Sequence, residues 1–204
     1  MNGYNRLAPF YDRLATVFVG KQLQQAQLAL LPYLQQKRKL LILGGGTGWI
    51  LSHIFKINPT LEIDYVDSAA QMIARARQRA GSNQRIRFIE GTEAAVPDKD
   101  YDAVITNFYL DLFTAQDLMV LIGLLRASVA NGATWLVTDF EEHTGGQRMK
   151  VKLMYYFFWM ATGLKTRALP PWYQILINAG LLPVESKSTR SRFIRTVAFQ
   201  FKIK

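Results

Sequence analysis

A run of apolar residues leads directly into a glycine-rich segment, and this feature constrains the fold of the chain most. Residues 40–43 are typical of a buried strand, and the glycines Gly44, Gly45, Gly46 and Gly48 follow before a new apolar segment begins. Glycine allows positive φ angles and a close approach of a ligand to the backbone, and a following helix N-terminus presents unpaired N–H groups. The segment therefore predicts a ligand-binding turn between a strand and a helix.

Short apolar runs alternate with longer amphipathic segments along the rest of the chain. Nearly continuous apolar character is typical of strands covered on both faces, and strands that alternate with helices favour a parallel sheet with right-handed crossovers. The last ten residues differ, because apolar and polar side chains alternate there, as in an antiparallel strand with one solvated face. We predict five strands at Lys39–Leu43, Ile63–Val66, Ile86–Ile89, Tyr101–Thr106 and Thr134–Thr138, helices at Gly48–Phe55, Ala69–Ala80 and Thr114–Ser128, and a closing strand at Arg195–Lys204.

The composition narrows the class of protein. The chain has 204 residues, half of them hydrophobic, so one globular domain with a substantial core is expected. It contains no cysteine, which excludes disulfides and thiolate sites, and its two histidines are too few for a histidine-rich metal centre, so no metal is predicted. The most apolar run, residues 153–164, is shorter than the ~20 residues of a membrane-spanning helix, and no signal peptide is evident. We expect a cytoplasmic protein.

The spacing of the glycines distinguishes between two kinds of nucleotide site. A dinucleotide-binding G-x-G-x-x-G pattern would need its third glycine at a position that holds Trp49 or Leu51. The segment instead contains G-x-G-x-G at Gly44, Gly46 and Gly48. A pyrophosphate-binding loop is therefore disfavoured.

Asp67 ends the second predicted strand, where a carboxylate can accept both hydroxyls of a ribose. Together, the glycine pattern, Asp67 and the helical segment that follows it resemble the class I S-adenosylmethionine-dependent methyltransferases. The resemblance implies an α/β, Rossmann-like methyltransferase fold: a mainly parallel seven-stranded sheet with an antiparallel last strand and helices on both faces. It also implies S-adenosylmethionine as the cofactor, held by Gly44, Gly45, Gly46, Gly48, Asp67, Ser68 and Met72. For Met72, an ordinary position in the core is the alternative to packing on the adenine.

Two departures from the family pattern accompany this resemblance. After the third strand the chain reads Gly91, Thr92, Glu93, and Thr92 occupies a position that is usually aspartate. The contact with the adenine amino group is therefore made by Thr92, shifted to Glu93, or absent. Ile42 stands two residues before the first glycine, where the family usually has an acid. This departure affects the orientation of the methionine end of the cofactor rather than the fold.

Residues that follow the fourth and fifth strands are candidates for the reacting end of the site, because ligands of open α/β sheets bind at the carboxyl ends of the strands. Asp111 could instead be a helix N-terminal charge, and His143 a loop histidine without a role. We predict Asn107 and Phe108 as cofactor contacts, Asp111 and His143 as candidate bases, and Tyr109 and Asp139 as acceptor contacts.

Two aromatic segments are expected to complete the acceptor side. The N-terminal stretch with Tyr4 and Tyr11 resembles family members that act on quinones and other small acceptors, which implies that Tyr11 lies over the cofactor and Tyr4 near the acceptor. Residues 149–172 form an aromatic insert in which Tyr155 and Trp159 are predicted acceptor contacts. Because the insert is apolar around the whole helix, core packing, a lid over an apolar acceptor, and membrane contact are alternatives.

The formal net charge of +10 is concentrated in the last third of the chain. Residues 141–204 hold 11 of the 25 Lys and Arg but 3 of the 15 Asp and Glu. Basic residues flank the aromatic segment at 148–172, a pattern suited to an amphipathic acceptor or to peripheral contact with the inner membrane face, whereas nucleic-acid readers interleave the two types. Within the single domain we expect a helical cap at 1–36, a cofactor-binding core at 37–140, an acceptor-side insert at 141–180 and a closing β-hairpin region at 181–204.

The sequence thus predicts a methyltransferase that acts on a small, hydrophobic or amphipathic acceptor. Three alternatives stay open. The departures at Ile42 and Thr92 suggest a cofactor-binding module without catalysis, the glycine turn alone would also suit an NAD(P)-dependent oxidoreductase, and the basic surface would suit a nucleic-acid methyltransferase. The acceptor atom and the oligomeric state do not follow from the sequence.

Overall fold

Seven strands form one mixed sheet in the computed structural model of the chain, which describes residues 21–97, 100–146 and 168–202. The order across the sheet is β3-β2-β1-β4-β5-β7-β6. The strands are β1 (Lys39–Leu43), β2 (Glu62–Asp67), β3 (Ile86–Glu90), β4 (Tyr101–Asn107), β5 (Val129–Phe140), β6 (Leu182–Ser188) and β7 (Ile194–Gln200).

The first five strands are parallel, and β7 runs antiparallel to both of its neighbours, β5 and β6. This confirms the predicted fold class, including the antiparallel last strand. The strands that follow β1 in the chain, β2 and β3, lie on one side of it, and β4 and β5 lie on the other side. At such a reversal of strand order, a crevice opens at the carboxyl ends of the strands. The glycine-rich segment follows β1 at this point.

Helices cover the two faces of the sheet. On one face, Leu41 and Leu43 of β1 join a buried cluster with Trp135 and Phe199 beneath the fourth and fifth helices. On the other face, Leu40 and Ile42 pack with residues of the second and third helices. The helices are α1 (Lys21–Leu28), α2 (Leu51–Ile57), α3 (Ala70–Ala80), α4 (Ala115–Ser128) and α5 (Trp172–Asn178), with 3₁₀ turns at Leu31–Leu34, Glu93–Ala95 and Leu110–Leu112.

Several element boundaries differ from the predicted ones for local reasons. Helix α2 begins at Leu51 rather than at Gly48, because Gly48 has a φ of 77°, outside the helical region. Strand β5 begins at Val129, five residues before the predicted start, and includes Gly132 with a φ of 72°. The closing strand is Ile194–Gln200, which is shorter than the predicted Arg195–Lys204 at its C-terminal end.

A network of polar side chains joins β2, β3 and β4. The described residues of the connection from β3 to β4 contain a single 3₁₀ turn as their helical structure. On β2, Asp64 accepts a bidentate pair of hydrogen bonds from Arg87 of β3, at 2.7 and 2.6 Å, and another from the Tyr101 hydroxyl. This network satisfies a carboxylate that is 4% exposed. Within the described ranges, no helix has the length and apolar character needed to cross a membrane.

Candidate active site

Asp67 lies at the carboxyl end of β2, beside the turn that follows β1. Its Oδ2 accepts a hydrogen bond from the backbone N–H of Gly46 at 2.8 Å, and its Oδ1 accepts one from Ala69 at 2.9 Å. Burial raises the pKa of Asp67 above its ordinary value, and these two amides oppose the rise. A carboxylate oxygen can accept more than one hydrogen bond, so Asp67 is also suited to accept two neighbouring ligand hydroxyls.

Gly46 is the residue of the turn that faces open space. Its φ is 65°, and no atom lies within 4 Å of the position that a Cβ would take. A ligand can therefore approach the backbone here, next to the Asp67 carboxylate. This combination of an open glycine and a hydroxyl acceptor fits the adenosyl group that the sequence resemblance implies.

The other glycines of the turn are required by packing. A Cβ at Gly44 would overlap the ring of Tyr109, and a Cβ at Gly48 would lie 2.8 Å from the Cα of Ala76 in α3. Gly44 also has a φ of 64°. These close approaches bring the turn against the segment after β4 on one side and against α3 on the other.

Two side chains hold the glycine turn from outside. The Tyr65 hydroxyl donates to the carbonyl of Gly46 at 3.2 Å, and a Cβ at Gly45 would overlap the Tyr65 ring. On α3, Arg79 donates to the Thr47 hydroxyl at 2.7 Å. Neither Tyr65 nor Arg79 was predicted from the sequence. Tyr65 stands two residues before Asp67, on the same strand, whereas the Arg79 contact joins residues with no local sequence relation.

Of the remaining predicted cofactor contacts, Met72 lies on α3, and the others follow β2 or β3 directly: Ser68, Gly91, Thr92 and Glu93. Gly91 donates its N–H to the carbonyl of Asp67 at 3.0 Å, so this segment follows the acid closely. The Thr92 hydroxyl accepts from the N–H of Ala94 and starts the 3₁₀ turn. Met72 is 3% exposed on the inner side of α3, and its predicted contact with the cofactor stays a prediction, like that of Ser68 after Asp67.

The chain makes a strained turn directly after β4. Phe108 has a φ of 51°, a conformation that costs a non-glycine residue about 1 kcal/mol, and its N–H donates to the carbonyl of Thr138 on β5 at 2.7 Å. Its ring packs on Phe140, with centroids 4.8 Å apart. Asn107 precedes the turn as the last residue of β4, and Tyr109 donates its hydroxyl to Glu93 at 2.9 Å. The turn therefore lies between the glycine segment and the end of β5.

Asp111 and Asp139 lie together beneath this turn. Asp139 is fully buried near the end of β5, and its Oδ2 accepts from the N–H groups of Leu110 and Asp111 at 2.9 and 3.3 Å. Its Oδ1 accepts from Phe140 at 2.8 Å. Asp111 is 5% exposed in the 3₁₀ turn that follows β4. Two acids, one in the turn after β4 and one on the adjacent strand β5, thus lie together in the buried interior.

Burial disfavours the charged form of both carboxyl groups. It raises the pKa of Asp111 to about 7. For Asp139, burial and the negative charge of Asp111 raise the pKa well above its ordinary value, although three backbone amides oppose this rise. The pair consequently retains protons at pH values where exposed carboxyl groups are fully ionised.

His143 belongs to a second polar cluster after β5. Its Nε2 lies 3.2 Å from Glu141 Oε2, while Glu141 Oε1 accepts from Arg195 of β7 at 3.1 Å. The Arg195 guanidinium stacks on the ring of Tyr173, 3.6 Å from the centroid. The His143 side chain is 47% exposed, in contrast to the buried acids. Arg195 had not been predicted, because its partner Glu141 is 54 residues away in the chain.

The structure brings one group of predicted residues together and leaves another outside its described part. Trp172, the last residue of the predicted aromatic insert, is 1% exposed and donates its Nε1–H to the carbonyl of Phe140 at 2.8 Å, so it belongs to the core. The glycines, Asp67, Tyr109, Asp111 and Asp139 surround the carboxyl ends of β1, β2, β4 and β5. Tyr4, Tyr11, Tyr155 and Trp159 lie outside the described residues.

Comparison with known proteins identifies relatives of this arrangement. A family model described as "Methyltransferase domain" matches residues 41–134. A malonyl-[acyl-carrier protein] O-methyltransferase of Bacillus cytotoxicus is 30% identical over 144 residues, which cover 69% of this chain and 49% of the relative. The chain therefore spans about half the length of this curated relative.

Solved structures share the fold at lower identity. An O-methyltransferase family protein from Burkholderia thailandensis superposes with a TM-score of 0.75 at 18% identity, covering 97% of this chain and 60% of that one. Human N-acetylserotonin methyltransferase in complex with SAM gives a TM-score of 0.70 at 17% identity, covering 96% and 55%. At these identities the likeness establishes the Rossmann-like methyltransferase fold.

Proposed function

Since the chain belongs to the class I S-adenosylmethionine-dependent methyltransferases, we propose that it transfers the methyl group of S-adenosylmethionine to a small acceptor. The observation that carries this proposal is the pairing of the open Gly46 with the Asp67 carboxylate, 2.8 Å from the Gly46 N–H. The family model, which covers both residues, supports it.

The cofactor would be held by groups at the carboxyl ends of three strands. Asp67 is placed to accept the ribose hydroxyls, and the backbone of Gly46 leaves room for the nucleoside beside it. Glu93 accepts a hydrogen bond from Tyr109 and directly follows Thr92, which stands at the position of the family's usual aspartate, so Glu93 would take over the contact with the adenine end. S-adenosylmethionine supplies a methyl group on a positively charged sulfur, which is already activated for displacement.

The protein's own contribution is then position, exclusion of water and, for an acceptor that bears a proton, a base. Asp111 is the candidate base that the structure favours, because it is buried near the glycine turn and its pKa of about 7 suits proton transfer at neutral pH. His143 is more exposed and is held by Glu141, so we assign it a secondary role at the rim of the site.

The acceptor side supports a small and at least partly apolar molecule. Phe108, Phe140 and Phe193 form an aromatic cluster at the carboxyl ends of β4 and β5, with ring centroids about 5 Å apart. Leu23 of α1 packs on the same cluster. Phe140 and Phe193 are buried in this cluster, so the half-buried Phe108 is the ring that would offer an apolar contact to an aromatic or aliphatic acceptor. The basic and aromatic segment at 148–172 would add contact with an amphipathic acceptor or a membrane face.

Calorimetric titration with S-adenosylhomocysteine, the demethylated product, tests the cofactor proposal. We expect binding of the wild-type protein, and no comparable binding of NADPH. Tight NADPH binding without S-adenosylhomocysteine binding would favour an oxidoreductase. Binding of S-adenosylhomocysteine with no methyl transfer to any acceptor, measured with methyl-labelled cofactor against a panel of phenols, quinols and amines, would instead favour a module without catalysis.

A further inference from the structure

We propose that Tyr65 is a positioning residue of the cofactor site: its buried hydroxyl fixes Gly46, and through Gly46 it orients the Asp67 carboxylate toward the ribose hydroxyls. Tyr65 therefore determines how strongly the site prefers a nucleoside with both ribose hydroxyls over one without them. This inference rests on the proposed methyltransferase function, because it concerns the site proposed for S-adenosylmethionine.

Gly46 needs support from its neighbours because a glycine restricts its own backbone least. Its φ is 65°, in a region that residues with a side chain rarely adopt. Among the described residues, no atom lies within 4 Å of the place that a Cβ would take, so packing does not confine it on that side. The direction of the Gly46 N–H therefore depends on the hydrogen bonds of the Gly46 backbone.

Strand β2 binds the turn with three consecutive residues. The Tyr65 hydroxyl donates to the Gly46 carbonyl at 3.2 Å, and the Gly46 N–H donates to Asp67 Oδ2 at 2.8 Å. Between them, the Val66 carbonyl accepts from the N–H of Gly45 at 3.2 Å. Side chains two residues apart on a strand lie on the same face, so Tyr65 and Asp67 reach the turn from one side. Both polar groups of the Gly46 backbone are thus bound by side chains of one strand.

The Tyr65 ring is itself held in place. It is fully buried, and a Cβ at Gly45 would overlap it, so the ring packs directly on the turn. Phe88 of β3 packs on it as well, with ring centroids 5.4 Å apart. A ring confined by close packing leaves its hydroxyl little freedom, so this hydroxyl can fix the carbonyl that it binds.

The Asp67 carboxylate is oriented through the same contacts. Its Oδ1 accepts from Ala69 and its Oδ2 from Gly46, so the positions of these two amides set the plane of the carboxylate. The lone pairs that would accept the ribose hydroxyls follow from this plane. Loss of the Tyr65 hydroxyl would release the Gly46 carbonyl and loosen the bond from Gly46 to Asp67. The contact with the ribose should then weaken more than the rest of cofactor binding.

Calorimetric titration of two ligands tests the inference. The ligands are S-adenosylhomocysteine and its dideoxy analogue, in which hydrogen replaces both ribose hydroxyls. We expect the wild type to prefer S-adenosylhomocysteine about a hundredfold, because the analogue lacks two hydrogen bonds to a charged acceptor. Tyr65→Phe keeps the ring and its packing, and this preference should fall to about tenfold. A merely structural role of the hydroxyl would weaken both ligands equally and leave the preference unchanged, which would overturn the inference.

Tyr101→Phe is the matched control. The Tyr101 hydroxyl is also buried and also donates to β2, but its acceptor Asp64 alternates with Tyr65 and lies on the opposite face of the sheet. Thermal unfolding should show that both variants lose stability, whereas Tyr101→Phe should keep the hundredfold preference. If Tyr101→Phe lowered the preference as much as Tyr65→Phe, the effect would reflect general stability, and the inference would be wrong.

A spectroscopic measurement on the wild type decides the inference if Tyr65→Phe does not fold. Coupling between two interactions is reciprocal, so binding of ribose hydroxyls to Asp67 should strengthen the hydrogen bond from Tyr65 to Gly46. In protein with isotope-labelled tyrosine, the Cζ resonance of Tyr65 should therefore shift further with saturating S-adenosylhomocysteine than with the saturating dideoxy analogue. Equal shifts with the two ligands would contradict this coupling and the inference.

The outcomes distinguish the inference from the proposed function. Failure of S-adenosylhomocysteine to bind the wild type would contradict the proposed function, and this inference with it. Binding with the same preference in the wild type and in Tyr65→Phe would overturn the inference alone. A wild type that binds both ligands equally would also overturn it, because Asp67 would then not hold the ribose.

Discussion

Asp67 and Asp139 are similar in chemistry and position, but their surroundings differ. Each lies near the carboxyl end of a parallel strand, and each accepts hydrogen bonds from backbone amides with both carboxylate oxygens. Asp67 remains partly exposed beside a glycine that faces open space, whereas Asp139 is fully buried beneath the turn after β4. The proposed cofactor side thus leaves its acid beside open space, whereas the proposed acceptor side uses an acid to hold its own backbone.

This difference shows how the carboxyl ends of the strands in one sheet can serve two purposes. A partly exposed carboxylate next to open space can bind hydroxyl groups of a ligand, since its interaction with water is exchanged for an interaction of the same kind. The Asp139 carboxylate, whose two oxygens are bound by backbone amides, instead fixes the adjacent turn, and its own ionisation is opposed by burial and by the neighbouring Asp111. Four experiments can break or sharpen this comparison.

The largest effect is expected from Asp111→Asn on the pH dependence of stability. Burial raises the pKa of Asp111 from 3.8 to about 7, so between these values the folded protein binds a proton that the unfolded chain has released. Folding therefore becomes less favourable as the pH rises from 4 to 7, by about 4 kcal/mol over this range. The Asn variant lacks this contribution, so its stability should fall less than that of the wild type between pH 4 and pH 7, and denaturant unfolding at these two pH values measures the difference. Parallel pH profiles of both proteins would show that Asp111 is not a buried acid.

Asp67→Ala should have the next largest effect, and on binding rather than on stability. Loss of hydrogen bonds from ribose hydroxyls to a charged acceptor should weaken S-adenosylhomocysteine binding about a hundredfold. Glu62→Ala, an exposed acid at the start of the same strand, should bind like the wild type in the same calorimetric titration. If Asp139→Asn weakened S-adenosylhomocysteine binding as much as Asp67→Ala, Asp139 would also contribute to cofactor binding, and the contrast between the two acids would be lost.

The two glycine variants Gly46→Ala and Gly48→Ala should separate binding from folding within one turn. A Cβ at position 48 would lie 2.8 Å from the Ala76 backbone at a φ of 77°, so a loss of about 2 kcal/mol of stability is expected. A Cβ at position 46 meets no atom within 4 Å, so about 1 kcal/mol of backbone strain should result, together with about tenfold weaker cofactor binding. Thermal unfolding and calorimetry of both variants check this, and the reverse order would contradict it.

Glu141→Gln should have the smallest effect. The ion pair of Glu141 with Arg195 is partly exposed, so its loss should cost at most about 1 kcal/mol, and the difference from the wild type should shrink in high salt. Urea unfolding at low and high ionic strength provides the measurement. A loss of several kcal/mol would mean that the ion pair of Glu141 with Arg195 is as important to the fold as the buried acids.

The sequence predicted the cofactor side far better than the acceptor side, because the signals of the cofactor side are local. The run Lys39–Leu43 is a strand with the predicted bounds, the glycines follow it directly, and Asp67 ends β2. Strand β5 was predicted too short because Asn131 and Gly132 are typical turn residues, whereas the strand starts at Val129, which pairs with Tyr101, and passes through an irregularity before its regular pairing with β4 resumes at Thr134. Strand β6 was predicted only within the closing hairpin region, since Pro183 and its polar residues weaken the strand pattern.

On the acceptor side, the residue types were evident but their relations were not. Asp111 and Asp139 were both named as candidates, yet their contact joins residues 28 positions apart, and no sequence period connects them. Burial decides that Asp139 binds backbone amides rather than offering its oxygens to solvent, and burial depends on the packing of the whole sheet. The same holds for Glu141 and Arg195, which meet through the antiparallel pairing of β5 with β7.

The contact between Gly44 and Tyr109 has a consequence for how this chain can vary. The ring of Tyr109 fills the volume that any side chain at position 44 would need. A larger residue at 44 is therefore compatible with the fold only where position 109 holds a smaller one, so the two positions should change together among homologous sequences. A chain with alanine at position 44 and an intact tyrosine at 109 should be rare, and it should have lost the hydrogen bond from that tyrosine to Glu93.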